Sequence, residues 1–232
     1  MITIENLCFG YEDAKTKLFN NLNLSIECHK TVVLLGPNGA GKTSLLRLLL
    51  NLSKPQSGKI EVLGLSPGVE KLQKQIAFLS EQPTRYDFLN LTQYLKFFST
   101  MNQASAEVKN LQAQELIANI DPTTPMKNYS KGMMQRLNFA RLLLNDPELI
   151  FLDEPSTGLD PIGHLKIEEM VLGLKKQGKS IFLNTHNLDF ALNVADEIVI
   201  MNMGKIVMKV DRSNTDRKAL QQTFLNLESE RS

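Results

Sequence analysis

One glycine-rich octapeptide constrains the fold of this chain more than any other feature. Residues 36–43 read GPNGAGKT, directly after the apolar run Thr31–Leu35 and directly before a helical pattern that opens at Ser44. Glycines let successive backbone N–H groups turn toward phosphate oxygens, and the N-terminus of the following helix faces the same anion. We therefore expect a buried strand, a phosphate-binding loop and a helix to follow one another here.

Each residue of this loop has a chemical task. The Lys42 ammonium reaches the β- and γ-phosphates of a nucleoside triphosphate, and the Thr43 hydroxyl ligates Mg²⁺. A glycine turn that matches the pattern by chance is the alternative, but the strand before the loop and the helix after it disfavour chance. The other residues assigned to nucleotide binding are Gly36, Pro37, Asn38, Gly39, Ala40, Gly41 and Ser44.

Composition narrows the class of protein. With 232 residues, of which 42% are hydrophobic and 22% charged, the chain can bury one sizeable core. Its net charge of +1 provides no basic field, so we expect no nucleic-acid partner. The N-terminus has no secretory pattern, and no apolar stretch approaches the ~18 residues of a membrane span. We expect a cytosolic protein without signal peptide or transmembrane segment, in which Cys8 and Cys28 are buried, reduced thiols.

Strand and helix patterns alternate along the chain, which predicts an α/β fold with a mostly parallel sheet. Short alternating runs in the first thirty residues predict an N-terminal antiparallel β subdomain, at the edge of a sheet. From about residue 85 to 145, apolar residues recur at helical spacing, which predicts an inserted α-helical subdomain. We predict a nucleotide-binding domain over residues 1–210. A polar C-terminal extension over 211–232 has a weak helical stripe at Leu220, Phe224 and Leu227.

Two carboxylates follow a second buried strand. The apolar residues 149–152 precede Asp153 and Glu154, at the carboxyl end where open α/β sheets bind ligands. An aspartate in this place suits Mg²⁺, and the adjacent glutamate can act as a general base that orients an attacking water. A strand that simply ends in solvated acids is the alternative. The phosphate-binding loop elsewhere in the chain favours the first interpretation.

A serine and a glycine open a later helix. Ser130 is a typical helix N-cap, whose side chain would bond a free backbone N–H. Gly132 in the first turn costs roughly 0.5–1 kcal/mol relative to alanine, and capping gives no reason for it. A bare helix N-terminus that lets a phosphate come close would explain the glycine.

These segments together resemble an ABC transporter ATP-binding protein over about residues 2–210. The match rests on five segments in the family's order and spacing: GPNGAGKT at 36–43, YSKGM at 129–133, Asp153–Glu154, STGLDP at 156–161 and NTH at 184–186. The resemblance implies a P-loop NTPase core with ATP and Mg²⁺ as cofactors.

The resemblance also implies roles for individual residues. Tyr11 matches the aromatic residue that stacks on adenine, although a tyrosine at a strand end is nearly as good an account. Ser130 and Gly132 match the signature motif, which contacts the γ-phosphate bound by the opposite protomer, and Asp160 matches the D-loop that links the two sites. His186 matches the switch histidine that contacts the γ-phosphate and the attacking water. The catalytic set is then Glu154, His186 and Lys42.

Two departures from the family pattern affect these roles. The usual signature is LSGGQ, whereas this chain has YSKGM at 129–133, a form that resembles the ABC-2 exporter type. Glu81 stands where the family usually has a glutamine, and Gln82 follows it. A carboxylate can ligate Mg²⁺, so the predicted metal set is Thr43, Asp153 and Glu81, with Gln82 as the alternative to Glu81.

The resulting expectation is an ATPase subunit at the cytoplasmic face of a membrane. It would form an ATP-dependent homodimer, or a dimer with a related ATPase subunit, and drive export by a separate integral membrane permease. One alternative is a soluble ABC-type ATPase that acts on ribosomes or DNA. A P-loop GTPase or kinase is another, but the chain has no guanine-reading Asn-Lys-x-Asp motif.

Overall fold

The computed structural model describes residues 1–12, 16–82, 85–101 and 110–229. Within these residues, two sheets pack against helices. The elements in chain order are β1 (Ile2–Phe9), β2 (Phe19–Ile26), β3 (Thr31–Leu35), α1 (Lys42–Leu49), β4 (Ser57–Val62), α2 (Glu70–Gln73), β5 (Ile76–Leu79), α3 (Leu91–Met101), α4 (Leu111–Ile117), α5 (Lys131–Leu142), β6 (Leu149–Asp153), α6 (Pro161–Lys176), β7 (Ser180–Thr185), α7 (Leu188–Val194), β8 (Glu197–Asn202), β9 (Lys205–Asp211) and α8 (Arg217–Ser229).

The central sheet has the strand order β5-β6-β7-β3-β8-β9, and its first five strands are parallel. Every residue of β3, β6, β7 and β8 is buried, because apolar clusters cover both faces of the sheet. Successive residues of β3 alternate between the two clusters: Val33 and Leu35 face one, and Val32 and Leu34 face the other. The predicted α/β fold with a mostly parallel sheet is confirmed.

The N-terminal strands form a sheet of their own with the order β2-β1-β4, in which both pairings are antiparallel. Ile4 lies opposite Leu24 on one side and Ile60 on the other, and all three are buried. The antiparallel pairing was predicted, but these strands do not lie at the edge of the central sheet. The edge strands of the central sheet are β5 and β9, and β9, which is antiparallel to β8, was not predicted from the sequence. Residues of β9 alternate between exposed and half-buried positions, so β9 is not buried on both faces as its neighbour β8 is.

The region between β5 and β6 contains α3, α4 and α5, as the helical spacing predicted. Tyr94 of α3 is buried, its hydroxyl donates to Asn138 Oδ1 at 3.0 Å, and burial raises its pKa to about 12. Arg141 of α5 donates to the carbonyl oxygen of Phe78 at 3.0 Å, and its guanidinium lies 4.9 Å from the Phe98 ring centre. Side-chain contacts therefore tie the helices to each other and to β5.

The C-terminal stripe is a packing face. Leu220, Phe224 and Leu227 of α8 are buried in the larger apolar cluster. Of the two cysteines, Cys8 is buried as expected, but Cys28 is exposed, because β2 ends at Ile26 and Cys28 lies in the turn that follows. Across the described residues, no helix has both the length and the apolar character to cross a membrane.

Candidate functional site

The loop between β3 and α1 has a backbone that only glycine allows at two points. A Cβ on Gly36 would lie 2.3 Å from the carbonyl oxygen of Met201, so any side chain would collide with β8. Gly41 precedes α1 at φ 109°, a left-handed conformation that L side chains rarely adopt. No side chain in the described ranges caps α1. The N-terminus of α1, where the helix dipole favours an anion, therefore carries no side-chain cap at Gly41 within the described residues.

Lys42 is buried inside this loop. Its ammonium donates to the carbonyl oxygens of Gly36 at 2.7 Å and Pro37 at 3.3 Å. It also lies 3.6 Å from Oε1 of Glu154, which follows β6. The loop thus holds one positive charge beside the predicted general base.

Asp153 ends β6 as a buried carboxylate. Burial is the main cause that raises its pKa, and the nearby Glu154 and Glu81 carboxylates raise it further. Hydrogen bonds from Asn184 Nδ2, at 3.1 Å, and from the Thr43 hydroxyl act in the opposite direction. The Glu154 and Glu81 carboxylates therefore lie close enough to disfavour the charged form of Asp153, an effect that a bound cation would offset.

Glu154 is held from several sides. Its carboxylate contacts His186 Nδ1 at 3.0 Å through Oε1 and accepts a hydrogen bond from the Thr185 hydroxyl at 3.1 Å through Oε2. Its backbone N–H donates to the carbonyl oxygen of Asn184 at 3.0 Å. Its φ of 46° is left-handed, which costs a non-glycine residue about 1–3 kcal/mol and is concentrated at functional sites. The β6 and β7 ends thus fix this side chain beside the loop.

A cavity of about 740 Å³ brings most of the predicted site together, and its volume suits a nucleotide-sized ligand. Tyr11 is half-exposed at its rim, where its hydroxyl lies 2.9 Å from Ser44 Oγ. The predicted residues that line the cavity are Tyr11, Asn38, Gly39, Gly41, Lys42, Thr43, Ser44, Glu81, Glu154 and His186. The lining also includes Thr157 of the STGLDP segment, and four residues outside every predicted motif: Thr16, Lys17, Leu18 and Met203.

The remaining predicted residues lie elsewhere. Gly36, Pro37 and Ala40 stabilise the loop through their backbone carbonyl oxygens. Those of Gly36 and Pro37 accept hydrogen bonds from the Lys42 ammonium, and that of Ala40 accepts from Gly204 N at 2.9 Å. Asp153 does not line the cavity, and its carboxylate accepts a hydrogen bond from Asn184 Nδ2. Glu81, rather than Gln82, reaches the lining.

The signature residues and Asp160 act as helix caps outside this cavity. Ser130 Oγ accepts from Met133 N at 3.2 Å to cap α5, and Asp160 Oδ1 accepts from Gly163 N at 2.7 Å to cap α6. A Cβ on Gly132 would meet, among the described atoms, only Ser130 Oγ at 4.0 Å. Packing within this chain therefore gives no reason for a glycine at this position.

The residues around Asp153 fit Mg²⁺ that arrives with a phosphate ligand. No group of three or more His, Cys, Asp or Glu in the described residues could hold a metal ion alone. Mg²⁺ usually takes one or two protein carboxylates and completes its shell with waters and substrate phosphates. The buried Oδ1 of Asn184 has no hydrogen-bond partner in the described part of the chain, which leaves one more oxygen beside Asp153.

Asn184 and Thr185 are the contacts that the sequence analysis left without a role. Both are fully buried polar residues at the end of the otherwise apolar strand β7. Polar side chains in such a strand are a usable signal, since burial without a hydrogen-bond partner is costly. Lys17 and the other added lining residues carry no comparable signal, because loop folding alone brings them to the cavity.

A parallel sheet with this loop after β3 and two carboxylates after β6 defines a P-loop nucleotide-binding domain. Residues 19–157 match the ABC transporter family. The chain belongs to this family.

Relatives and a solved structure agree with this assignment. An uncharacterized ABC transporter ATP-binding protein of Nostoc is 40% identical over 80% of this chain, which spans only 57% of that relative's length. The lantibiotic transport ATP-binding protein SrtF of Streptococcus pyogenes is 34% identical over 97% of this chain and 96% of its own. A solved ATP-binding subunit of an ABC transporter has a TM-score of 0.84 at 25% identity, and the match covers 98% of this chain and 99% of that one.

Proposed function

We propose that this chain binds and hydrolyses ATP with Mg²⁺ and drives transport by a separate membrane permease. The observation that carries the proposal is the convergence of Lys42, Glu154 and His186 in one cavity. They lie at the carboxyl ends of β3, β6 and β7, which are neighbours in the central sheet. This arrangement provides what phosphoryl transfer to water requires, which is mostly positioning and charge stabilisation.

The loop side of the cavity binds the phosphates. The N-terminus of α1, where the helix dipole favours an anion, and the Lys42 ammonium face the β- and γ-phosphates, and the Tyr11 ring offers a surface for the base. Thr43 and Asp153, with Glu81 nearby, would hold Mg²⁺, which neutralises phosphate charge when bound.

The β6–β7 side activates water. Glu154 accepts a proton from the attacking water, while Thr185 and His186 fix the two carboxylate oxygens. His186 is half-exposed toward the cavity and can also reach the γ-phosphate. Lys42, which is 3.6 Å from Glu154, gains a second anionic partner once phosphate enters, and the carboxylate becomes freer to act as a base.

A second protomer completes the site. Ser130 and Gly132 lie at the N-terminus of α5, outside the cavity of their own chain. Gly132 has no side chain that would block a ligand from approaching this helix end. We infer that they contact the γ-phosphate of a facing copy, or of a related ATPase subunit, with Asp160 near the junction. ATP then holds two protomers together, and its hydrolysis releases them.

The transport role follows from the family and from the names of relatives. We propose that opening and closing of this dimer is passed through the helical region, about residues 85–145, to an integral membrane permease at the cytoplasmic face. The YSKGM form of the signature favours export. The relatives named above are called transporter subunits, which supports this role over an ATPase that acts on ribosomes or DNA.

The first test replaces Glu154 by glutamine. Because the amide cannot accept the water's proton, hydrolysis should fall roughly 10²- to 10⁴-fold while ATP binding persists. The variant should accumulate as an ATP-bound dimer. Phosphate release measures turnover, and light scattering with and without ATP measures the dimer.

Glu148→Gln is the matched control. Glu148 directly precedes the same strand at its opposite end, where its carboxylate accepts from Gln75. This variant should hydrolyse ATP at the unsubstituted rate. Full turnover by Glu154→Gln would refute the assignment of Glu154 as the base.

The transport proposal needs its own measurement. Affinity purification from solubilised membranes should recover a polytopic membrane protein together with this chain. In inside-out vesicles that contain both, cargo should accumulate inside the vesicle only with ATP. Uptake in right-side-out vesicles instead would contradict export.

A further inference from the structure

Gln135, in the second turn of α5, makes a hydrogen bond that the proposed mechanism does not use. Its Nε2 donates to the carbonyl oxygen of Pro155 at 2.7 Å, at a partly buried position. Pro155 directly follows Glu154 in the chain. The signature helix therefore holds the peptide that follows the proposed catalytic base.

Glu154 requires such support because its backbone is strained for two reasons. A side chain at φ 46° is crowded against its own backbone. A proline in the next position also disfavours helical backbone and drives the preceding residue toward the extended region. A conformation that both effects oppose persists only where its surroundings fix it.

Backbone hydrogen bonds fix Glu154 through both its N–H and its carbonyl oxygen. On its N-terminal side, its N–H donates to Asn184 O at 3.0 Å, which ties it to β7. On its C-terminal side, its own carbonyl oxygen accepts from Thr157 N at 3.1 Å, a bond within the same turn. The Gln135 bond is different in kind, because it comes from a separate helix and enters at the next carbonyl oxygen, that of Pro155.

We propose that Gln135 is a positioning residue for Glu154, through which α5 couples its N-terminus to the carboxylate. Ser130 caps the same helix through Met133 N, so a displacement of that N-terminus is carried along the helix to Gln135. This inference rests on the proposed function. It adds a coupling between two nucleotides. When Ser130 and Gly132 contact the nucleotide bound by the facing protomer, the position of Glu154 changes beside the nucleotide bound by the chain's own loop.

Gln135→Met tests the hydrogen bond with little change in side-chain length. Misplacement of a reacting group by about 1 Å can cost roughly a hundredfold in rate, so kcat should fall roughly 10- to 100-fold. The Kd for ATP and the melting temperature should stay unchanged, because the bond contacts neither the phosphates nor the main core. Gln135→Lys keeps a donor of similar reach and should retain most of the activity.

Gln75→Met is the matched control. The Gln75 amide donates to the exposed Glu148 carboxylate at 2.9 Å, at the end of β6 away from the cavity. Its removal deletes the same chemical group at the opposite end of β6 and should leave kcat unchanged. A similar loss in both variants would show a general effect of losing a surface amide, and would overturn the inference.

A double-mutant cycle separates positioning from packing. If Gln135 acts through Glu154, then Gln135→Met added to Glu154→Gln should cause no further loss of hydrolysis. The same additional loss in both backgrounds, or an unchanged kcat in Gln135→Met alone, would overturn the inference. Failure of the proposed function looks different: full turnover in Glu154→Gln, or no turnover in the unsubstituted chain.

Discussion

The carboxyl edge of the central sheet and the N-terminus of α5 both present groups suited to phosphate, but they differ in completeness. At the sheet edge, β3, β6 and β7 bring Lys42, Glu154 and His186 together around one cavity. At α5, Ser130 and Gly132 are two residues apart in sequence and lie outside that cavity. The first region is a formed cavity. The second is a helix N-terminus that lies outside this cavity.

The difference shows how each region depends on the rest of the molecule. The cavity depends on the long-range pairing of parallel strands β3, β6 and β7, so a change in this pairing would displace its lining residues. The α5 terminus is local: a cap and a glycine suffice to form it, and its effect on chemistry depends on what another molecule brings to it. Substitutions should therefore separate binding of ATP from its hydrolysis.

Ser130→Arg should have the largest effect that separates the two regions. The bulky cation would block approach of a facing nucleotide, so hydrolysis should fall at least roughly a hundredfold, about the loss for one donor at a developing charge. Because Ser130 lies outside the cavity, the monomer should keep its Kd for ATP. Phosphate release and ATP titration of dilute protein measure the two quantities.

The control for Ser130→Arg must remove a helix cap without touching phosphate. Asn110 caps α4 by accepting from Ala113 N at 3.1 Å, so Asn110→Ala loses a cap worth about 1 kcal/mol. Both variants should melt about 2–4 °C lower, but Asn110→Ala should hydrolyse ATP normally. Loss of ATP binding by monomeric Ser130→Arg would mean that Ser130 is merely structural.

Tyr11→Ala should have a smaller effect, confined to the cavity. Loss of the ring removes a stacking surface worth about 0.5–1.5 kcal/mol, so ATP should bind roughly 2- to 10-fold more weakly while kcat stays constant. Tyr11→Phe removes only the hydroxyl contact with Ser44 Oγ and should bind ATP almost normally. Equal affinity in the alanine variant would favour the simpler account of Tyr11 as a strand-end residue.

Asp153→Asn should have a small effect on the stability of ligand-free protein, opposite in sign to the effect of losing a helix cap. Burial raises the pKa of Asp153 above its ordinary 3.8, so the folded state holds the proton more tightly than the unfolded state. Stability is then lost as pH rises from the unfolded pKa through the folded one, and at pH 7 the charged carboxylate is a penalty. The uncharged amide should therefore raise the melting temperature of ligand-free protein.

The response of Asp153→Asn to ATP and Mg²⁺ tests whether Asp153 binds the metal ion. Without the carboxylate, Mg²⁺ should no longer add to the stabilisation by ATP, whereas in the unsubstituted chain it should. Melting curves at pH 7 with ATP alone and with ATP plus Mg²⁺ test this. A lower melting temperature for ligand-free Asp153→Asn would show that its hydrogen bonds outweigh the charge penalty.

Much of the fold was predictable because strong local patterns specify it. The apolar runs of β3 and β6 were recognised, since strands buried on both faces have continuous apolar segments. Strand β9 was missed because its apolar run is limited to residues 206–208, and its pairing is decided by β8. Cys28 was expected to be buried like Cys8, but β2 ends at Ile26, and strand ends carry the weakest sequence signal.

For the candidate site, the motifs predicted most residues that line the cavity. They could not predict that Thr185 and His186 would hold the two oxygens of the Glu154 carboxylate, or that Gln135 would reach Pro155. These contacts join residues that are distant in sequence, and their geometry depends on strand order and helix packing.

The sequence by itself determined that the chain has a P-loop after a buried strand, two carboxylates after another and a glycine in the first turn of the helix that Ser130 caps. Local backbone and side-chain chemistry require those residues, so they are visible in one dimension. Only the tertiary structure decided that Lys42 and Glu154 lie 3.6 Å apart, and that the signature serine stays outside their cavity. Strand order and packing fix such distances, because the free energy that selects them comes from burial across the whole sheet.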